Sequence, residues 1–290
     1  MRTFFYLFIL LRAVSANAAL LDATDVAVDS TLHPLKIVTL APSVAELAAE
    51  FLGPDLSRII AVSERTDFPI ALQKKKSIGT FSAFNIESVV AAKPDLILAT
   101  LDGNPKERVL RLRALGLRVV VVGTLKLSDV AQAMRVVAAA LGEPGRGEKE
   151  AELFMNQLLK IKGDAASLKS PSRVLLQVGE DPLVVAGGHS FLNEALEVVG
   201  AKNIYSDLKT AYPRPALEDV LSRNPDDIVV VSMSANTQAA QKMAQAWKKF
   251  THLSAVKHGK IHIISGDLLL RPSLRLLDGL AALKTSLAGG

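Results

Sequence analysis

The chain has 290 residues, of which 49% are hydrophobic, 22% charged and 5% aromatic, and its formal net charge is +5. This is the composition of an ordinary globular protein, which excludes a disordered chain. The lack of cysteine excludes a disulfide scaffold, thiolate metal sites, cysteine nucleophiles and a lipid anchor on cysteine. The small positive charge gives no indication of a nucleic-acid partner.

The first 18 residues have the pattern of an export signal. Arg2 precedes the apolar run Phe4–Leu11, and small residues follow as far as Ala18. A basic start, an apolar core and an A-x-A ending are typical of a cleavable secretory signal peptide. A membrane anchor would need about 20 apolar residues, so this run is too short to span a bilayer. We therefore expect residues 1–18 to be removed and the remainder, which has no cysteine for a lipid, to be free in the periplasm.

Short apolar runs alternate with amphipathic stretches in residues 36–145. Ser43 is the predicted N-cap of the first helix, with Glu46 three residues later as the second member of a capping box. Strands that are apolar on both faces and alternate with helices indicate a parallel sheet covered on both sides. The predicted strands are 36–40, 59–63, 95–99 and 118–122, and the predicted helices are 44–52, 85–92, 105–115 and 127–141.

A long helical stretch separates this region from a second one of the same kind. Residues 148–168 carry apolar side chains at near-helical spacing, and Ser170-Pro171 ends the pattern. The fold class expected is α/β: two Rossmann-like lobes at 36–145 and 170–290, each a mainly parallel sheet flanked by helices, joined by one long helix at 146–169. In the second lobe the predicted strands are 173–178, 227–231 and 260–265, and the predicted helices are 191–199, 216–223, 237–250 and 275–287.

One motif occurs in both halves. Glu87 precedes Pro94-Asp95 by seven positions, and Glu218 precedes Pro225-Asp226 by the same interval. A proline–aspartate turn between a helix and a strand is common in α/β proteins, and an acid in the first turn of a helix suits the helix dipole. The matched spacing indicates two similar lobes and leaves open whether the two glutamates share a further role.

The order and spacing of several segments match a known family. They are 37–47 (IVTLAPSVAEL), 62–69 (VSERTDFP), 79–81, 85–87 and 93–96 in the first half, and 187–193, 200–205, 212–221 and 266–273 in the second. In these segments the sequence resembles the helical-backbone class of periplasmic binding proteins, and within it the cobalamin receptors of vitamin B12 importers. The resemblance implies a monomer with two lobes joined by a rigid helix, a ligand held between them, and delivery to a membrane permease driven by a separate cytoplasmic ATPase.

The resemblance also assigns roles to individual residues. Phe81 and Tyr212 match positions that stack on the ligand, although each could instead pack within its own loop. Asp267 and Arg271 match polar ligand contacts, although they could form an internal ion pair. The full set is Arg65, Phe81, Tyr212, Asp267 and Arg271 for ligand binding, and Glu87 and Glu218 for docking onto arginines of the permease.

The ligand itself is open at this point. The sequence has Arg65 where the family often has tyrosine, Thr100 where it has tryptophan, and Val184 where it has phenylalanine. Cobalamin, a smaller corrinoid precursor, haem and an iron–siderophore all fit the same architecture. His189 lies in a glycine turn and would be the axial ligand of a haem.

Other classes of function have less support. No hydrolase elbow, zinc-protease motif, phosphate loop or dinucleotide fingerprint is present in the sequence. His258 and His262 are four residues apart but have no evident third ligand, so no metal cofactor is expected. An exported hydrolase using Ser190 or Asp67 is the alternative from another class. The prediction is a solute receptor that performs no chemistry.

Overall fold

The computed structural model describes residues 19–165, 170–232 and 237–288, so the predicted signal at 1–18 lies outside the described residues. The first lobe is built on a five-stranded parallel sheet with the order β3-β2-β1-β4-β5. Its strands are β1 (Ile37–Thr39), β2 (Ile59–Val62), β3 (Lys76–Ser77), β4 (Leu96–Thr100) and β5 (Val119–Val122). Its helices are α1 (Pro42–Leu52), α2 (Ile86–Ala91), α3 (Lys106–Ala114) and α4 (Leu127–Ala140).

The second lobe follows a single long helix, α5 (Pro144–Ala165). Its sheet has the order β10-β9-β6-β7, with β8 paired to the start of β6; only the β6–β7 pairing is antiparallel among the described strands. The strands are β6 (Arg173–Gly179), β7 (Val184–Val185), β8 (Lys202–Asn203), β9 (Asp227–Ser232) and β10 (Ile261–Ser265). The helices are α6 (Phe191–Val198), α7 (Leu217–Arg223), α8 (Thr237–Trp247), α9 (Ser254–Lys257), α10 (Gly266–Leu269) and α11 (Leu276–Ala288).

The predicted α/β class with two mainly parallel sheets is confirmed, whereas the predicted N-cap of the first helix is wrong. The first helix begins at Pro42 with Ala41 as its N-cap, because the proline occupies the first helical position and needs no hydrogen-bond acceptor for a backbone N–H. Ser43 therefore lies inside the helix. The linking helix begins at Pro144, earlier than the predicted residue 146, and residues 166–169 at its predicted end lie outside the described residues. The lobe boundaries stay predictions.

The two sheets share one hydrophobic core. Side chains alternate along a strand, so each strand contributes to both faces of its sheet. In β4, Leu96 and Leu98 face the shared core, whereas Ile97 belongs to the first lobe's own core. In β9, Val229 faces the shared core and Ile228 the second lobe's own core. Helices α1, α4, α5, α6 and α11 fill the space between the sheets. This continuous packing opposes large rotations of one lobe against the other.

The repeated proline–aspartate motif has the same structural role in each lobe. The Asp95 carboxylate accepts a hydrogen bond from the backbone N–H of Lys36, just before β1, at 2.9 Å. The Asp226 carboxylate accepts one from the backbone N–H of Arg173, at the start of β6, at 3.2 Å. Each aspartate thereby ties the end of a helix to the start of the lobe's first strand. The repeat thus reflects a shared way of joining helix to sheet.

The segment that follows the predicted cleavage point is attached to the outer edge of β5. Asp22 is 5% exposed, and its carboxylate accepts hydrogen bonds from the backbone N–H of Val121 at 3.0 Å and from the Arg113 guanidinium at 2.7 Å. The Ala23 N–H donates to the carbonyl of Val121 at 2.8 Å. The segment therefore covers an edge strand that would otherwise expose unpaired backbone groups.

Candidate functional site

A cavity of about 290 Å³ lies between the lobes, and we call it the interlobe cavity. In the first lobe its walls come from residues just beyond the carboxyl ends of β1, β2, β4 and β5, which is where ligands bind in open parallel sheets. Its volume is at the lower end of the range for ligand pockets, so a large ligand would project into solvent. The first lobe contributes Ala41, Pro42, Ser43, Arg65, Phe81, Thr100, Asp102, Gly103, Thr124 and Leu125, and the second contributes His189, Ser190, Phe191, Ala211, Tyr212, Leu270, Arg271 and Pro272.

Each lobe contributes one predicted stacking residue to this cavity. Phe81 and Tyr212 both line it, and both are 42% exposed. Exposure of this size is unusual for aromatic side chains that serve only to fill a core. The loop that carries Phe81 is held by Asn104, whose side-chain NH₂ donates to the Phe81 carbonyl at 2.7 Å and to the Leu40 carbonyl at 2.9 Å. The two aromatic faces are thus available to a ligand between the lobes.

Tyr212 is a neutral phenol over the whole physiological pH range. Burial of its ring in the cavity wall raises its pKa to about 12, and the negative charge of Asp102 adds to the rise. Asp102 itself accepts a hydrogen bond from the Thr124 hydroxyl at 2.7 Å. The Tyr212 hydroxyl can therefore donate a hydrogen bond to a carbonyl oxygen of a ligand.

Arg271 is the centre of a buried ionic cluster that joins the lobes. It is 3% exposed, and its Nη1 contacts Glu46 Oε1 at 3.0 Å and also pairs with Asp67. Burial by itself lowers the pKa of Arg271, but hydrogen bonds to Asp67 and Glu46 outweigh this effect and raise the pKa. Ser273 donates its hydroxyl to Glu46 at 2.7 Å. Glu46 therefore connects the lobes and does not cap its own helix.

The same guanidinium supports the backbone of Arg65. Its Nη2 donates to the Arg65 carbonyl at 3.2 Å, and Arg65 has a φ of 62°, in the left-handed region that disfavours residues other than glycine. The Arg65 side chain is exposed and lines the cavity, and it has no ion-pair partner in the described part of the chain. A positive charge is thus available at the cavity wall.

Asp267 does not line the cavity. Its carboxylate contacts Arg271 Nη2 at 2.9 Å, so the internal ion pair foreseen as an alternative is present. Arg271 nevertheless lines the cavity, and its Nε has no hydrogen-bond acceptor among the residues that are described. Three carboxylates surround the guanidinium, and one N–H is left unpaired. Contact with a ligand through Arg271 stays a prediction, and Asp267 acts on the cavity through Arg271.

Glu87 and Glu218 occupy equivalent positions on the two lobes. Each lies in the first turn of a short helix, α2 for Glu87 and α7 for Glu218, and each is exposed. Neither carboxylate has an ion-pair partner within residues 19–165, 170–232 and 237–288. Both are therefore free to pair with a partner protein.

The remaining candidate residues have other contacts. His258 contacts the carbonyl of Ser254 at 2.9 Å and His262 contacts Asp227 at 2.7 Å, so the two histidines do not form a joint site. Ser190 donates its hydroxyl to the Gly187 carbonyl at 2.7 Å and is the N-cap of α6, which is a structural role. Asp67 pairs with Arg271. Ser190 and Asp67 are thus not arranged as a nucleophile with its base.

Two polar residues of the cavity wall were not predicted from the sequence. Asp102 and Thr124 follow the ends of β4 and β5 by two residues each, and both line the cavity. Their position in the sequence could have identified them, because each follows a buried parallel strand and polar residues at the ends of such strands converge on a ligand site. Thr100 also lines the cavity, whereas Val184 does not.

Within the described ranges, no helix combines the length and the apolar character needed to cross a bilayer.

Comparisons with known proteins agree with this architecture. The chain matches the family described as periplasmic binding protein over residues 37–268. A vitamin B12-binding protein of Salmonella paratyphi A is 32% identical over 213 residues, which are 73% of this chain and 77% of that protein. The crystal structure of the periplasmic vitamin B12 binding protein of Vibrio cholerae has a TM-score of 0.76 at 30% identity and covers 88% of this chain and 97% of its own. A periplasmic haem-binding protein from Pseudomonas aeruginosa has a TM-score of 0.75 at 25% identity, covering 87% and 92%. The chain belongs to the periplasmic binding protein family.

Proposed function

We propose that this protein is the solute-binding component of an ABC importer, and that it captures cobalamin or a related corrinoid in the interlobe cavity and delivers it to the permease. The observation that carries the proposal is the pair of half-exposed aromatic faces, Phe81 and Tyr212, one from each lobe, in a cavity between two lobes with a common core. A corrinoid is a large, partly apolar ring edged with amides, which suits aromatic faces and a few polar donors.

The polar groups of the cavity support an amide-rich ligand. The Tyr212 hydroxyl and the Arg65 guanidinium are donors for amide carbonyl oxygens. Asp102 is an acceptor for amide N–H groups. The vitamin B12-binding proteins of Salmonella paratyphi A and Vibrio cholerae, each at least 30% identical over more than two thirds of the chain, support the same ligand class.

Haem is the second candidate. His189 lines the cavity, and the similar structure from Pseudomonas aeruginosa is a haem-binding protein. Calorimetric titration with cyanocobalamin, ferric haem and a ferric siderophore separates the candidates. We expect saturable binding of cyanocobalamin at micromolar concentrations or below. Binding of haem or the siderophore without binding of cyanocobalamin would reject the corrinoid and select the alternative.

The proposed partners are two permease subunits that receive Glu87 and Glu218 on arginines. A carboxylate on each lobe gives a two-point contact, and pairing with guanidinium groups orients the complex as well as stabilising it. The ATPase acts from the cytoplasmic side of the permease, and the receptor works as a monomer in the periplasm after removal of residues 1–18. No nucleic acid takes part.

Charge reversal tests the docking role. The double variant Glu87→Arg with Glu218→Arg is expected to abolish vitamin uptake in cells that lack their own receptor, while leaving the affinity for cyanocobalamin unchanged. Glu107→Arg is the matched control, because Glu107 is also exposed in the first turn of a helix. Uptake by the double variant at the rate of the control variant would refute the docking role.

The protein is proposed to act without chemistry. Ser190 caps a helix and Asp67 is paired with an arginine, which supports a binding role over the hydrolase alternative. Turnover of an ester or peptide substrate that is lost in Ser190→Ala would contradict this.

A further inference from the structure

We propose that His189 coordinates the metal ion of the bound chelate, so that the preferred ligand is a tetrapyrrole-type complex whose metal has an exchangeable axial position. This inference rests on the proposed function and deepens it, because it specifies which form of a corrinoid the cavity takes. All five histidines lie in described parts of the chain, and His189 alone lines the interlobe cavity. Its ring is exposed and has no hydrogen-bond partner in the described part of the molecule.

The turn that carries His189 is held rigidly in place. The backbone N–H groups of Gly187 and Gly188 donate to the carbonyls of Ala211 at 2.9 Å and Leu208 at 3.0 Å. A Cβ on Gly188 would lie 2.2 Å from the backbone oxygen of Ser206, so the two segments are packed too closely for any side chain there. The backbone that carries His189 is therefore set before a ligand arrives, which lowers the entropy lost when the turn is ordered on binding.

The other side of the turn is fixed as well. Ser190, which follows the histidine, is 5% exposed and donates its hydroxyl to the Gly187 carbonyl at 2.7 Å. The same hydroxyl accepts the backbone N–H of Asn193 at 3.2 Å, as the N-cap of α6. His189 is thus an exposed side chain between two anchored neighbours. With the backbone anchored on both sides, only side-chain rotation of His189 is needed to bring a ring nitrogen to a metal.

The remaining polar groups of the cavity are less suited to bind a metal. Tyr212 is protonated, Arg65 is a cation, and Asp102 already accepts a hydrogen bond from Thr124. Imidazole nitrogen is a good ligand for cobalt and iron, and a histidine ring is a common axial ligand of iron in a macrocycle. His189 supplies the imidazole nitrogen donor in the lining of this cavity.

The chemical step is a ligand exchange. In aquacobalamin, water occupies one axial position of cobalt(III). The lone pair of the imidazole nitrogen forms the new Co–N bond, the Co–O bond breaks, and water leaves with its own electron pair. Cobalt keeps its oxidation state, and neutral imidazole releases no proton. Cyanocobalamin holds a tightly bound cyanide in the same position and cannot undergo this exchange readily.

Visible absorption spectroscopy separates this inference from the function on which it rests. The protein is titrated with aquacobalamin and with cyanocobalamin, and binding is measured together with the spectrum of the bound corrinoid. The variants are His189→Ala and His189→Gln, with His252→Ala as the matched control, because His252 lies outside the cavity. His252→Ala should bind cyanocobalamin with the affinity of the wild type, and an unfolding midpoint of His189→Ala close to that of the wild type establishes that this variant is folded.

We expect the aquacobalamin spectrum to change on binding to the wild type and to His252→Ala, and to remain that of the free corrinoid in both His189 variants. Aquacobalamin should bind the wild type at least about tenfold more tightly than cyanocobalamin does, which corresponds to about 1.4 kcal/mol. This preference should disappear in His189→Ala.

Equal affinity for the two corrinoids, or a spectral change that survives His189→Ala, would overturn the coordination while leaving corrinoid capture intact. If neither corrinoid binds, ferric haem is titrated in the same way. A haem spectrum that depends on His189 would then support the coordination and reject the corrinoid. Absence of binding by all three ligands would overturn both proposals.

Discussion

Arg271 and Glu46 form an ion pair at 3.0 Å across the two lobes, although each side chain is only 3% exposed. The two residues are 225 positions apart in the sequence. Arg271 also pairs with Asp67, a second carboxylate of the first lobe, and Arg271 itself lines the interlobe cavity. The contact therefore couples the relative position of the lobes to the shape of the site.

Replacement of Arg271 should strongly lower the free energy of unfolding. In Arg271→Gln, Glu46 stays buried without its principal counter-charge, and breaking a buried pair in this way costs about 3–5 kcal/mol. Arg275→Gln is the control, because Arg275 is 24% exposed and lies 3.4 Å from the same carboxylate, so its loss should cost about 1 kcal/mol or less. Urea unfolding measures both. Equal losses would show that the buried cluster does not hold the lobes together.

The attachment of the N-terminal segment should depend on pH. Burial opposes ionisation of Asp22, but hydrogen bonds from Thr24, Val121 and Val26 outweigh it and hold its pKa below the ordinary value of 3.8. A lowered pKa in the folded state stabilises the fold above the unfolded-state value, and this contribution is lost as pH falls through the folded-state value. Asp22→Asn should therefore cost about 1–3 kcal/mol at neutral pH and much less in acid.

Thermal unfolding of the Asp22→Asn protein at pH values above and below 3.8 measures this difference. Asp25→Asn makes the same charge change on an exposed residue of the same segment and should leave the unfolding midpoint close to that of the wild type. If the unfolding midpoint of Asp22→Asn stays below that of the wild type by the same amount from neutral to acid pH, the role assigned to the ionised carboxylate is contradicted.

Two glycine substitutions should change the free energy of unfolding in opposite directions. Gly188→Ala places a Cβ 2.2 Å from the backbone oxygen of Ser206, so the turn must shift, at a cost of about 1–3 kcal/mol. Gly163→Ala lies in α5 with nothing within 4 Å of the added carbon, and alanine should stabilise the helix by about 0.5–1 kcal/mol. Chemical denaturation measures the free energy of unfolding of both variants. A Gly188→Ala protein as stable as the wild type would show that the turn can accommodate the added carbon.

The fold was largely predictable because its signals are local. A strand buried on both faces is a continuous apolar run in the sequence, as in Val119–Val122. The repeated motifs at Pro94 and Pro225 indicated two similar lobes. The two-residue strands β3, β7 and β8 were missed because so short a pairing leaves no periodicity in the sequence.

The site was less predictable because its contacts are distant in the sequence. Glu46 has the spacing of a capping residue, and nothing in its neighbourhood indicates a partner in the other lobe. Asp102 and Thr124 lie in loops that look like ordinary solvated turns until the strands before them are placed in one sheet. Phe81 and Tyr212 could be proposed from a family resemblance, whereas the sequence pattern alone is equally compatible with packing within their loops.

The central claim is that the interlobe cavity captures a corrinoid between the aromatic faces of the two lobes. It is tested most directly by calorimetric titration of cyanocobalamin into the wild type and into the double variant Phe81→Ala with Tyr212→Ala. Loss of the two stacking faces should weaken binding by at least about fivefold, since such contacts contribute about 0.5–1.5 kcal/mol each, or about 1–3 kcal/mol together, beyond the area they bury. Saturable binding by the wild type that is weakened in the double variant is the predicted result. An equal affinity in the two proteins, or no binding by the wild type at micromolar concentrations, would contradict the claim.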